Sequence, residues 1–293
     1  MKKKWLITGA GGQLGREFAN LFENADEFYA FNSSELDVTD SNSIENAINF
    51  VKPTHILNCA AWTNVEKAED NHSEVFEVNV HGVWNLASLA KKLGIHLTHF
   101  STDYVFDGQK RTPYETHDLK NPLSVYGLSK SRGEDAINDI NPDGTLIIRT
   151  SWLYSAHGSN FVKTILRLEQ ERETISVVDD QIGQPTSATD LANFVIKILG
   201  QRDLTGTYHA CNSGSASWYE FAKTILELNG KDPFRVLPIK SSEYPQTAKR
   251  PSYSVLNLEK WRAVGIDPMQ SWQNALSDTF QFGQLKKGIT SGD

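Results

Sequence analysis

A glycine-punctuated turn, "TGAGGQLG" at positions 8–15, follows the apolar run Trp5-Leu6-Ile7 and leads into a helical pattern from Gln13 to Phe22. No other stretch constrains the fold as tightly. Gly9, Gly12 and Gly15 recur at three-residue intervals. A chain leaving a strand there must turn sharply, bring its backbone close to a ligand and enter a helix packed against the sheet. The helix N-terminus offers free N–H groups and the positive end of the peptide dipole, a ready seat for a pyrophosphate. Strand, glycine turn and helix in this order predict the first unit of a dinucleotide-binding fold. The spacing differs from G-x-G-x-x-G, which points to a particular branch of such folds.

The following segments repeat the rhythm. Glu27 to Phe31 reads as a second strand, and Ser41 to Val51 as a second helix with Ser41 at its cap. Ile56-Leu57 with Cys59 marks a third strand. Ser73 to Leu93 reads as one long helix, with Val75, Val78, Val83, Leu86 and Leu89 near helical spacing. His96 to Ser101 and Leu146 to Ile148 are the fourth and fifth strands. Such alternation implies right-handed crossovers and a parallel sheet covered on both faces. The predicted class is therefore α/β, a Rossmann-type doubly wound parallel sheet.

After Arg149 the rhythm loosens. A helix fits Phe161 to Arg172, "TISVV" a strand, "DDQIGQPT" a loop, and Thr186 to Leu199 with "GTYHAC" a helix and strand that rejoin the sheet. From Trp218 the chain is helical with proline-rich interruptions. The expected division is a dinucleotide-binding domain over 1–151, rejoined by 187–211. A smaller, partly intertwined C-terminal substrate-binding lobe takes 152–186 and 212–293.

Composition narrows the classes of function. Of 293 residues, 39% are hydrophobic and 22% charged, which suits a folded globular chain long enough for a sizeable core. A net charge of −7 argues against nucleic acid as a partner. Cys59 and Cys211 are the only cysteines and form no C-x-x-C, so neither a disulfide framework nor a cysteine zinc site is expected. No metal-ligand spacing stands out. The apolar run after "MKKK" is too short for a signal peptide, and no stretch is long enough to cross a bilayer. The expected setting is cytoplasmic, away from the membrane.

Two further motifs carry chemistry. In "YGLSK", Tyr126 and Lys130 stand four residues apart, neighbours on one helical face. An ammonium beside a phenol favours the phenolate, so Lys130 is expected to bring the Tyr126 pKa down towards the working range of a general acid. "STDYVFDG" ends the fourth strand, and ligands bind outside the carboxyl ends of strands in an open parallel sheet. Thr102 then supplies a hydroxyl where a substrate carbonyl could sit beside Tyr126. Thr102, Tyr126 and Lys130 are the candidate catalytic residues. At the end of the second strand, where an acid would select the ribose hydroxyl of NAD, the sequence has Asn32, Ser33 and Ser34, with Glu35 only later. No arginine stands there to clamp a 2′-phosphate. NADPH or NADH remains open, and tolerance of both is expected.

The chain resembles the extended short-chain dehydrogenase/reductase family, within it the branch that reduces dTDP-linked keto sugars. The carrying stretches are "TGAGGQLG" (8–15), "LDVTD" (36–40), "NCAAWTNVEKAE" (58–69), "STDYVFDG" (101–108) and "NPLSVYGLSK" (121–130). "RTSWLY" (149–154), "NFVKTILRL" (160–168), "DDQIGQPT" (179–186) and "RPSYSVLN" (250–257) continue the match in order to near the chain's end. The resemblance implies that Gly9, Gly12, Gln13 and Leu14 line the pyrophosphate and that Asp37 and Val38 flank the adenine. Asn32 falls at the adenosine ribose, and Ala60, Ala61, Trp62 and Thr63 border the nicotinamide half. Tyr126 would give a proton to the C4 carbonyl oxygen of a dTDP-sugar, Thr102 would hydrogen-bond that oxygen, and Lys130 would hold the ribose. Asp103, Tyr104 and Trp152 match sugar-contacting positions, and Arg250 matches an arginine that meets the nucleotide diphosphate. A homodimer is compatible with the resemblance. Cys59, Trp62 and Asn32 depart from the family's usual residues: the first two alter the nicotinamide wall, and Asn32 stands where the family usually has an acid after the second strand. The same tyrosine and lysine also serve nucleotide-sugar 4-epimerases, which retain NAD through the cycle. A non-catalytic regulatory subunit of methionine adenosyltransferase shares the fold, a reading that the intact Thr102, Tyr126 and Lys130 oppose.

Overall fold

In the computed structural model, which describes residues 3–22, 27–201 and 204–281, the glycine turn joins β1 (Trp5–Thr8) to α1 (Gln13–Leu21). Residues 1–2 of the lysine run, 202–203 and the 282–293 end of the expected second lobe lie outside the described residues. β2 (Phe28–Ala30), α2 (Ser41–Val51) and β3 (His55–Asn58) follow. A short α3 (Val65–Ala68) precedes α4 (His72–Phe76), a π-helical turn (Glu77–His81) and α5 (Gly82–Leu93). β4 (His96–Thr102), α6 (Val125–Ile140) and β5 (Leu146–Thr150) complete the first half.

The second half opens with β6 (Leu153–Tyr154), α7 (Phe161–Glu171) and β7 (Ile175–Val178). The expected loop 179–186 instead contains β8 (Ile182–Gly183) and leads into β9 (Thr186–Ser187), two-residue strands paired with Ala216–Ser217 and with β6. α8 (Ala188–Gln201), β10 (Gly206–His209), β11 (Ala216–Ser217) and α9 (Trp218–Leu228) come next. β12 (Val236–Ile239), α10 (Glu259–Ala263) and α11 (Trp272–Gln281) close the described chain.

The main sheet is six-stranded and parallel, in the order β2-β1-β3-β4-β5-β10. Its topological switch falls between β1 and β3, the place where a doubly wound sheet opens a crevice at its carboxyl edge. Alternation along the strands explains the three layers. Leu6, Ile56, Leu97 and Ile147 form one core with α2, α5 and Ile137 of α6. Ile7, Leu57, Phe100 and Ile148, at odd offsets along the same strands, form the other, with α1, α8 and Trp261. Full burial of each such side chain is worth about 1.5–3 kcal/mol, so both faces hold the sheet. α7, α9 and Trp272 enclose a separate apolar core, with Tyr154 and Phe221 inside it.

Two helical expectations change. Asp40, rather than Ser41, caps α2, because its Oδ1 accepts from the N–H of Asn42 at 2.9 Å. The single helix expected over 73–93 is broken by the π turn. Buried Asn79 sits in that turn, where its Oδ1 accepts from the Trp62 N–H at 2.9 Å. Its Nδ2 donates to the Trp62 carbonyl at 3.1 Å and to Ser129 Oγ at 2.9 Å. The extra residue of a π turn re-aims a side chain, and here it ties the segment after β3 to α6. Among the described residues no helix is long and apolar enough to cross a membrane.

Candidate active site

The glycine turn is closed tightly enough to exclude side chains. Gly9 has φ +66°, and a Cβ there would lie 2.6 Å from the Ala60 nitrogen. A Cβ on Gly15 would lie 2.3 Å from the Gly9 carbonyl oxygen. Gly12 begins α1 without a side-chain cap, which leaves the first N–H groups of a nine-residue helix available to an anion. Leu14 turns its side chain into the core, so only its backbone faces the turn's ligand side. Gln13 Oε1 accepts from Asn160 Nδ2 at 3.1 Å, which brings the cap of α7 against the turn.

The turn is fastened to the end of β2 by Ala10 N–H donating to the Phe31 carbonyl at 2.9 Å. Next comes Asn32, whose Oδ1 accepts from Ser34 N–H at 2.9 Å and Ser34 Oγ at 2.6 Å. Glu35 Oε2 accepts from the Asn32 N–H at 2.9 Å. A carboxylate therefore does stand at the end of β2, delivered by a turn rather than by the strand itself. Asp37 is exposed and accepts from Thr39, while Val38 is buried against Gly82.

At the carboxyl end of β4, Thr102 Oγ1 donates to Asp103 Oδ1 at 3.0 Å and accepts from the Tyr104 N–H at 3.2 Å. Ser124 caps α6 by accepting from the Gly127 N–H at 3.1 Å. Gly127 has no room for a side chain, since a Cβ would lie 2.3 Å from the Tyr104 carbonyl oxygen. This close approach brings half-buried Tyr126 edge-on to Tyr104, with ring centroids 5.9 Å apart, and its hydroxyl into hydrogen-bonding reach of Thr102. Further along, buried Glu134 receives both Arg149 Nε (2.8 Å) and Nη2 (2.7 Å), which clamps α6 onto β5. Burial alone would raise the Glu134 carboxyl, but the guanidinium outweighs it and holds the group below the usual range.

The expected coupling between lysine and tyrosine is absent from this geometry. Lys130 is buried, and its Nζ donates to the Phe100 carbonyl at 2.6 Å and lies 3.3 Å from His99 Nε2. Burial pushes the Tyr126 phenol above its ordinary value, with the Thr102 hydroxyl working the other way. It is the ammonium that moves towards neutrality: burial brings Lys130 down to about 8, against the pull of the Glu134 carboxylate. The phenol is thus fully protonated at neutral pH, the form a proton donor requires. Asp103 is buried, and its carboxyl is pushed up to about 7 by burial, with the Thr102 hydroxyl on its Oδ1 working the other way.

Ala60 N–H donates to Asn58 Oδ1 at 3.2 Å, and Ala61 and Trp62 continue the wall, half-buried, to exposed Thr63. Trp152 follows β5 with φ +45°, a strained value for a non-glycine residue of the kind that clusters at functional sites. Its ring stacks on Trp218 at 3.4 Å, and a Cβ on Gly183 would lie 2.4 Å from it.

Arg250 is not free to face a ligand with its whole fork. Its Nη2 donates to Glu66 Oε1 at 2.8 Å, while Glu66 Oε2 accepts from Thr247 N–H at 2.9 Å and Ala248 N–H at 3.2 Å. The charge of the guanidinium acts on the buried Tyr104 phenol, and its own buried Nε lacks a hydrogen-bond partner. Arg250, Lys110, Arg111, Ser252 and Tyr253 line a cavity of about 510 Å³. The sequence reading missed Glu66, Asn79, His99 and Asn58. Among the described residues, no group of three or more His, Cys, Asp or Glu side chains could hold a metal ion.

Comparison with known proteins gives the family of the whole chain. A family model described as the RmlD substrate binding domain matches residues 3–284. The chain is 41% identical over 281 residues to a dTDP-4-keto-6-deoxy-D-glucose reductase of Streptomyces niveus, covering 96% of this chain and 97% of that one. It is 42% identical over 286 residues to a dTDP-4-dehydrorhamnose reductase of Aggregatibacter actinomycetemcomitans, covering 93% and 97%. The crystal structure of a dTDP-4-dehydrorhamnose reductase from Bacillus anthracis str. Ames, in complex with NADP, superposes with a TM-score of 0.92. That protein is 38% identical, with 96% of this chain and 100% of that one covered.

Proposed function

This chain belongs to the RmlD substrate binding domain family, and from that premise we propose that it is an NAD(P)H-dependent oxidoreductase. Its reaction is reduction of the C4 carbonyl of dTDP-4-dehydro-β-L-rhamnose to dTDP-L-rhamnose, a precursor of surface polysaccharide. The observation that carries this reading is one meeting of parts at the carboxyl edge of the sheet. A glycine cradle lies between β1 and an uncapped α1, and a protonated phenol, Tyr126, touches Thr102 at the end of β4.

The cradle fits a dinucleotide, because side chains are excluded at Gly9 and Gly15 and the first N–H groups of α1 are left for phosphate oxygens. We assign Gly9, Gly12, Gln13 and Leu14 to the pyrophosphate, Asn32, Asp37 and Val38 to the adenosine, and Ala60 to Thr63 with Lys130 to the nicotinamide half. When bound, the reduced nicotinamide supplies the hydride. Thr102 directs its own proton to Asp103, so its lone pairs orient the Tyr126 hydroxyl. On substrate binding, the Tyr126 proton passes to the C4 oxygen, and general acid help of this kind is worth typically ~10²–10⁴-fold. Asp103, Tyr104 and Trp152 hold the sugar, and Arg250 meets the diphosphate. Residues 1–151 with 187–211 act as the dinucleotide domain, and 152–186 with 212–293 as the substrate lobe. A cytoplasmic homodimer fits this role.

The test is stoichiometric. With dTDP-4-dehydro-β-L-rhamnose, one NADPH should be oxidised per sugar, and the UDP-linked analogue should turn over more slowly. An epimerase would consume no net cofactor. With Asn32 at the end of β2, NADH and NADPH should give kcat/KM values within about an order of magnitude, equal to ~1.4 kcal/mol. Asn32→Asp should tilt the ratio towards NADH by repelling the 2′-phosphate. A thousandfold preference in the unmodified protein would show that another residue reads that position.

A further inference from the structure

Beneath the proposed cofactor site, the apolar ladder of the sheet ends in a polar one. Leu6, Ile56 and Leu97 are register partners across β1, β3 and β4; two residues on, Thr8, Asn58 and His99 occupy the same face in the same register. Lys130 of α6 closes the row, and all four side chains are almost fully buried. Groups buried this deeply must satisfy one another, so the row fixes where each proton sits.

The direction can be read from one end. The Ala60 N–H is a backbone donor that cannot reorient, and it is shared between Asn58 Oδ1 at 3.2 Å and Thr8 Oγ1 at 3.3 Å; the Thr8 hydroxyl, accepting there, donates on to Asn58 Oδ1 at 2.7 Å. The amide nitrogen of Asn58 therefore faces His99 and donates to its Nδ1 at 3.0 Å. An NH₂ group only donates, so Nδ1 accepts, and the proton of the neutral imidazole belongs on Nε2. That Nε2–H points at Lys130 Nζ, 3.3 Å away. Against a donor, an ammonium has no lone pair to offer, whereas a neutral amine accepts the bond and still donates to the Phe100 carbonyl.

Resting on the reductase reading above, we propose that His99 is a positioning residue of the reaction. Held as its Nε2–H tautomer by Asn58, it donates to the Lys130 amine, so Lys130 gains and loses a proton in the working range instead of standing as a fixed charge. Three titratable groups face Lys130. Glu134, on its own helix, favours the ammonium, but its carboxylate is shared among Arg149, Ser101 and Lys120. Cys59, just beyond β3, is kept as the thiol by burial. His99, from β4, is kept neutral by burial, its pKa well below the ordinary value. The fall of Lys130 to about 8 is of the same sign as the geometry.

Two measurements test the proposal. In the unmodified protein labelled with ¹⁵N in the imidazoles, long-range ¹H–¹⁵N correlation spectra should show His99 as a neutral ring protonated on Nε2; this needs neither catalysis nor a variant. In His99→Gln the amide oxygen can turn to accept from an ammonium. The pH at which Lys130 titrates, read as a limb of the kcat profile, should then rise by about one unit, tenfold in proton affinity. A purely structural role would lower kcat at every pH and leave the limb in place. A His99 ring protonated on Nδ1, or an unmoved limb in His99→Gln, overturns the proposal. Absence of sugar reduction with the expected tautomer intact would count against the reductase reading instead.

Discussion

Tyr126→Phe is expected to lower kcat by at least ~10²-fold and to leave the Kd for NADPH nearly unchanged. The ring is kept, so its edge-on contact with Tyr104 survives, and only the hydroxyl that touches Thr102 is removed. Burial holds that phenol protonated, so at neutral pH the donor is loaded before substrate arrives. A loss seen in KM alone would mean that the hydroxyl binds the sugar without giving it a proton. Near-normal turnover would remove Tyr126 from the chemistry. The measurement is a steady-state profile of the variant beside a fluorescence titration with NADPH.

Arg250→Ala should raise the KM for the sugar nucleotide with little change in the NADPH Kd. Loss of one partner of a desolvated charge pair costs ~2–5 kcal/mol, a factor of roughly 30 to several thousand. The Glu66 contact gives a rival account, in which the variant simply loosens the 247–250 segment. Magnitude separates the two. The pair is partly exposed, and pairs of that kind contribute about 0–1 kcal/mol to stability. Glu66 also retains the N–H groups of Thr247 and Ala248 when the guanidinium is gone. Glu66→Gln should accordingly cost far less in KM than Arg250→Ala. Equal weakening of substrate and cofactor in Arg250→Ala would place the residue in support of the fold instead.

The body of the fold was legible because its signals are local and periodic. Apolar runs of two or three residues, the glycines and the helical spacing in α1, α2 and α5 depend on near neighbours only. Of the candidate site, the glycine turn was legible because the motif states its own context, a strand before it and a helix after it. What escaped depends on chain approaching chain. The π turn at Glu77–His81 keeps an ordinary helical pattern in sequence, and only the Trp62 segment and Gly133 of α6 packed against it require Asn79 there. Glu66 lies 184 residues from Arg250, and no spacing rule joins them. Spacing also misread Lys130: a lysine one turn from a tyrosine suggests mutual influence, yet burial turns its Nζ to the β4 backbone. His99 and Asn58 did leave a trace. Each continues the period-two alternation of a buried strand with a polar residue on an inward position, and buried polar positions of that kind are where function should be sought.

The reductase reading is tested most directly by following one hydrogen. The enzyme would be incubated with dTDP-4-dehydro-β-L-rhamnose and NADPH deuterated at the transferring position of C4, and the sugar analysed by NMR. The account predicts dTDP-L-rhamnose with a single deuterium at sugar C4, formed in step with an equal amount of NADP⁺. Recovery of the sugar unlabelled at C4, or its conversion to a 4-epimer without net loss of NADPH, would contradict it.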